Sequence, residues 1–308
     1  DPDPPYEPQK LTEAVITLGG HLKPDNYHAI ARLAAEYGHK AAEEIAVFES
    51  SNVKAVAEYI LENKVDCDFI ASRAVDVQLS YDVHRKVSSN HRAMIQAGSI
   101  AVQETFAVPD IYAERVSGMY GAKSAYSYPA AQCWPYKLVH HMFSNAIRKG
   151  VNLQTETVVT QLADKPDSDG FWTVQTARGT IRARKVVVAT NAYSAAILPE
   201  YRDKIMPYKG ICCRIECPPG KAPLLSNTYG IRFSDWNFDY LVQRPDGSII
   251  VGGARVKYFQ DLESWYGDCD DSTLIENAKG YFDGYMQRHF HGWKDSGAHV
   301  THIWTGSK

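Results

Sequence analysis

The sequence has no apolar run approaching the ~20 residues of a membrane-spanning helix. Its longest, such as Val186–Ala189, are strand-sized. Its six cysteines, Cys67, Cys133, Cys212, Cys213, Cys217 and Cys269, include no Cys-x-x-Cys pair, and there is no Asn-x-Ser/Thr sequon. A reducing, cytoplasmic setting is therefore expected. Residues 1–10 are acidic and proline-rich, with neither the basic start nor the apolar stretch of a secretory signal. Charge of either sign is not in excess: the net charge is −3, which gives no electrostatic reason to expect nucleic acid or an anionic membrane as partner. No internal repeat is visible. A further lack concerns chemistry: no Gly-x-Gly-x-x-Gly occurs. That turn lets backbone approach a dinucleotide pyrophosphate at a helix N-terminus.

What is present suffices for a packed core. Hydrophobic residues make up 44% and charged residues 22% of 308, room for one large or two ordinary domains. Residues 1–12 read as a disordered lead. Three- and four-residue apolar steps predict helices over 27–48, 52–62 and 82–103. A further helix, 136–149, opens at Pro135 and ends at Gly150. Residues 72–80 alternate as a half-buried strand, and 124–133, rich in Ser, Tyr and Ala, read as a loop. Residues 151–155 read as a strand. Segments 158–162, 171–176 and 180–184 form a small meander. The β-branched run 185–190 is expected as a strand buried on both faces of a parallel sheet. Strands over 211–216, 230–233, 238–243 and 248–252, a helix over 273–289 and a strand over 298–305 complete the pattern. Together these predict an α/β fold, a doubly wound core carrying an antiparallel flap, followed by an antiparallel sheet.

Five stretches in order resemble the FAD-dependent oxidoreductases of the D-amino-acid oxidase, glycine oxidase and sarcosine oxidase group. They are Gly19-Gly20-His21-Leu22-Lys23-Pro24, Thr157-Val158-Val159, the strand and turn over 186–193, the hairpin over 240–253, and the closing residues 303–308. The resemblance implies an incomplete FAD/NAD(P)-binding doubly wound core over 13–80 and 134–205, with its first strand missing. It implies an antiparallel substrate-binding domain over 81–133 and 206–300, and a return to the core over 301–308. The implied cofactor is FAD, near Gly19, Gly20, His21, Val159, Thr190, Asn191 and Tyr193. The implied substrate is a small amine or amino acid near Tyr240, Arg244 and Gly253. A complete member would pass hydride from the substrate's α-carbon to the flavin and then electrons to oxygen. No residue stands out as nucleophile or general base, so the catalytic residues are unknown.

The sequence also departs from this group. Thr17-Leu18 stands where Arg-Asn precedes the glycine pair, and Glu13 is a faint echo of the ribose-binding acid. Lys23 and Arg182 are the cations considered as substitutes for the phosphate cradle. Other readings stay open: a flavin-free pseudoenzyme that binds a small molecule or a partner, or a truncated gene product. Several residues also have bland readings. Arg244 beside Pro245-Asp246-Gly247 reads as a solvated hairpin charge, and Cys212-Cys213 as one inward and one edge thiol. The pairs His140-His141, His289/His291 and His299/His302 lack the acidic or cysteine partners of a zinc site, so no metal is expected.

Overall fold

The computed structural model describes residues 19–307; residues 1–12 and Glu13 lie outside them. A nine-stranded sheet organises the molecule. Its strands are β1 (His21–Leu22), β2 (Ile70–Gln78), β3 (Phe106–Val108), β4 (Ser124–Gln132), β8 (Lys209–Glu216), β9 (Thr228–Arg232), β10 (Phe238–Gln243), β11 (Ile249–Gly252) and β12 (His299–Ser307). They run in the order β1-β4-β2-β9-β10-β11-β8-β12, with β3 on β4. Among the described residues only β2 and β9 pair in parallel. The meander β5 (Val159–Leu162), β6 (Trp172–Thr176) and β7 (Gly179–Ala183) forms a separate three-stranded sheet. The α-helices of five or more residues are α1 (Ile30–Tyr37), α2 (His39–Glu62), α3 (Tyr81–Gln96), α4 (Asp110–Ser117), α5 (Pro135–Arg148) and α6 (Tyr285–His289). The mixed α/β architecture is as expected, but its elements differ from the sequence reading in instructive ways.

Gly38, at φ 87, splits the expected helix 27–48. The separate helix expected over 52–62 does not form either. Asn52 donates back to the Phe48 carbonyl, and helix α2 runs through to Glu62. The helix expected over 82–103 stops at Gln96, just before Gly98 at φ 73. Gly284 at φ 62 interrupts the one expected over 273–289, leaving a 3-10 turn (Glu276–Phe282) and the short α6. Left-handed backbone is cheap only for glycine, so these positions end regular helix.

The expected loop 124–133 is instead the strand β4, paired with β1, β2 and β3 and nearly buried throughout. Its serines and alanines allow close approach on one side, and Tyr126 and Tyr128 fill the core beneath α1–α3 on the other. Strand β2 is not half-buried either: Asp76 and Gln78 are both enclosed. The run 185–190 forms no strand, and Val187 is 88% exposed. Residues 151–155 form none either. β-branched residues favour a strand only where a ladder and a covering layer exist, and among the described residues none pairs with this run.

Candidate functional site

The register of β8, β10, β11 and β12 sorts side chains onto two faces. Leu241, Ile249, Val251, Ile211, Cys213 and Ile215 enter the main core. Their neighbours Tyr240, Val242, Ile250, Arg214, Cys212 and Trp304 occupy the opposite face, since Tyr240 pairs Gly252, Ile250 pairs Arg214 and Trp304 pairs Cys212. A cleft of about 390 Å³ opens on this second face, its walls including Gly19, Gly20, Trp134, Tyr136, Arg244 and Trp304.

The glycine pair is shaped by what it touches. Gly19 and Gly20 have φ of 60 and 80. A methyl group on Gly20 would overlap the Cys133 carbonyl oxygen, and one on Gly19 would lie 3.0 Å from the Tyr240 ring. Packing against β4's exit therefore requires glycine at position 20, and at position 19 a side chain would crowd the Tyr240 ring on β10. His21 follows, its ring edge-on to Tyr240 with centroids 5.5 Å apart. Neither imidazole nitrogen has a hydrogen-bond partner among the described residues. Burial, with the Lys23 ammonium adding to it, lowers the His21 pKa to about 3. The ring is neutral at physiological pH.

Tyr240 packs between Gly19, His21 and Gly252. Its hydroxyl lies 3.2 Å from the Cys212 sulfur, and Gly252 leaves space for its hydroxyl end. The two adjacent cysteines do point to opposite faces, but both are buried. Cys212 is covered by Tyr240, so it is not the edge thiol that alternation alone suggests.

Arg244 is not a solvated hairpin charge. Its guanidinium carbon lies 4.2 Å from the centre of the Trp134 ring. Nη2 is 3.4 Å from Asp68 Oδ2, and Nη1 is 3.7 Å from Asp246 Oδ2. Trp134 immediately precedes α5, whose first residue is Pro135. Proline fits there because the first helical N–H is unpaired in any case. The α5 N-terminus thus sits in the cleft wall and brings its partial positive charge with it. Lys137, one turn in, binds Asp68 Oδ1 at 2.9 Å and also lies over Trp134, at 5.1 Å.

Of the residues singled out from sequence, Gly19, Gly20 and Arg244 line the cleft, while His21 and Tyr240 pack against each other beside Gly19 without lining it. Gly253 lies just behind them, where a methyl group would overlap the Asp239 carboxylate. Val159 lies in the meander. Thr190 hydrogen-bonds Ser194, Asn191 begins a 3-10 turn, and the Tyr193 hydroxyl donates to Asp271 at 3.0 Å. None of these four lines the cleft. Lys23 is engaged by the buried Asp76 at 2.6 Å, and Arg182 by Asp167 at 2.6 Å. Both cations considered for a phosphate cradle are thus committed elsewhere. Sequence reasoning missed Trp134, Asp68 and Trp304. The Trp134-Pro135 step at a helix start was the one available signal for the first; nothing local marked the other two.

The family model for FAD dependent oxidoreductases (DAO) matches residues 19–307. Among curated proteins nothing matches. The fold is similar to glycine oxidase from Geobacillus kaustophilus, with TM-score 0.67 and 15% identity over 96% of this chain and 72% of that one. It is similar to iminodiacetate oxidase from a Chelativorans species, with TM-score 0.63 and 16% identity over 96% and 74%. It is also similar to L-alpha-glycerophosphate oxidase from Mycoplasma pneumoniae, with FAD bound, with TM-score 0.63 and 12% identity over 98% and 74%. At such identities the likeness is one of fold.

Proposed function

The chain belongs to the family of FAD-dependent oxidoreductases, and from that premise we propose that it acts on a small amine or amino acid bound in the cleft above β8 and β10–β12. The observation that carries the reading is convergence. Gly19-Gly20-His21 and the β10–β11 hairpin are more than 200 residues apart in sequence, yet Gly19 packs on Tyr240 and both ends wall one cleft. Arg244 supplies a planar fork suited to a substrate carboxylate. Trp134, Tyr136 and Trp304 supply apolar surface for the rest of the molecule or for a flat ring.

The fit to FAD divides in two. The ring end finds compatible surroundings: a glycine pair without side chains and aromatic walls, with a neutral imidazole next to the pair whose nitrogens have no partner among the described residues. The pyrophosphate end does not, since the 308 residues contain no Gly-x-Gly-x-x-Gly turn. Bound flavin would supply the two-electron acceptor that the protein's own side chains lack. Gly19, Gly20 and His21 are the residues we place beside its ring, Tyr240 and Arg244 the ones we place on the substrate side. The chain's own contribution is then to exclude water with its aromatic walls and to orient a carboxylate through Arg244. Val159, Thr190, Asn191 and Tyr193 stay as proposed contacts to the dinucleotide end, apart from the cleft. Six cysteines without a disulfide support a reducing, cytoplasmic setting. No helix among the described residues is long and apolar enough to cross a membrane.

The deciding experiment is the visible absorption spectrum of the purified chain before and after incubation with FAD and desalting. Retained flavin bands, followed by bleaching with an amine or amino acid, are expected. A monodisperse protein that stays colourless would overturn the reading and favour a flavin-free role.

A further inference from the structure

Asp68 sits just ahead of β2 in the left-handed region, at φ 54, and its carboxylate spans two cations. Oδ1 accepts from Lys137 at 2.9 Å, a normal charge-assisted distance. Oδ2 stands 3.4 Å from Arg244, and the Asp246 carboxylate stands 3.7 Å from the other side of the same guanidinium. Both are too long for the short, two-pronged pairing that arginine makes with a well-placed carboxylate. Arg244 is instead held by the Trp134 face, and it borders the cleft together with Asp68.

From this geometry we propose that Asp68 is an internal stand-in for a ligand carboxylate. Its Oδ2 loosely occupies the place at Arg244 that an incoming monocarboxylate takes, and the ligand displaces it. Lys137 retains Oδ1, so the displaced Asp68 is not left unpaired. The hydrogen bond that Lys137 donates to Asp68 raises the Lys137 pKa, which keeps that ammonium charged throughout the exchange. Asp68 in this sense sets the affinity of the site for carboxylates. A charged ligand takes the Arg244 position by competing with the resident carboxylate, whereas a neutral analogue leaves the Asp68–Arg244 pair in place. The inference rests on the cleft being the substrate's, and it names the substrate class as a monocarboxylate with an apolar body.

The test is calorimetric titration of the whole chain with phenylacetate and with phenylacetamide, in the wild type and in Asp68→Asn. A partly exposed ion pair is weak, so phenylacetate should bind about two- to fivefold more tightly to the variant, with phenylacetamide unaffected. Asp68→Ser serves the same purpose should Asp68→Asn fail to fold. Unchanged or weaker phenylacetate binding in the variant would overturn the inference. So would equal tightening of both ligands, or no phenylacetate binding to either protein. The titration needs no flavin signal, which separates it from the spectral experiment. A colourless protein with the expected tightening would overturn only the oxidoreductase reading; a flavin-retaining one without it would overturn only the role of Asp68.

Discussion

Arg244 lies over Trp134, 4.2 Å from guanidinium carbon to ring centre, so a residue of the β10–β11 turn is positioned by the residue just ahead of helix α5. Such contacts contribute about 0.5–1 kcal/mol at partly exposed sites. Trp134→Leu should therefore weaken binding of a carboxylate ligand about two- to fivefold while leaving its neutral amide unaffected, and Trp134→Phe should restore part of the loss. Titration with the paired ligands checks this. Equal loss for acid and amide would mean that Trp134 is only a wall.

Arg244 itself should not tolerate lysine. The ammonium is a point charge without the fork and without the same affinity for an aromatic face. Hydrogen bonds to charged groups are worth about 1.5–3 kcal/mol, so Arg244→Lys should cost roughly tenfold or more in carboxylate affinity. Full retention of affinity in that variant would remove Arg244 from the substrate side.

Gly20→Ala is expected to damage the site through the backbone. A residue with a Cβ at φ 80 loses about 1–2 kcal/mol, and here the methyl group also meets the Cys133 carbonyl oxygen. Urea denaturation should show at least that loss, and FAD retention should fall with it. Undiminished stability would mean that the glycine pair is a simple turn.

Some of this was legible in the sequence. Gly19-Gly20, Tyr240 and Arg244 were recognisable from their order along the chain, and the hairpin at Pro245-Asp246-Gly247 from turn chemistry. What failed was reading burial from local pattern. Ser124–Gln132 looks like a loop because its residues are small and polar, yet it is a strand buried on both sides. The β-branched run 185–190 looks like a core strand, yet Val187 faces outward. Both depend on which other strands lie alongside, and residue spacing carries no such information. Asp68 and Trp304 meet the site only through long-range sheet register, so nothing near them in sequence announces it.

Asp239 offers a prediction with a definite sign. Its side chain is fully buried and accepts from the Tyr281 and Tyr285 hydroxyls at 2.7 and 2.8 Å and from the Ala254 N–H at 2.9 Å. Burial raises its pKa to about 6, against the pull of those three hydrogen bonds and of the Arg288 charge. An unfolded aspartate titrates near 3.9. Between these values the folded protein holds a proton that the unfolded chain has released. The stability this proton contributes is complete below about pH 3.9 and is lost as the pH rises through about 6. Asp239→Asn removes the ionisation while keeping a group of the same shape, and either tyrosine hydroxyl can rotate to accept from the amide. The difference in unfolding free energy, variant minus wild type, cancels contributions common to both proteins, including that of His21. That difference should rise by roughly 2–3 kcal/mol between pH 4 and pH 6.5 and then level off. Denaturant titrations at four or five pH values across this range would measure it. A difference that stays flat would mean that Asp239 is ionised throughout, with its two tyrosines and backbone donor offsetting the whole cost of burial.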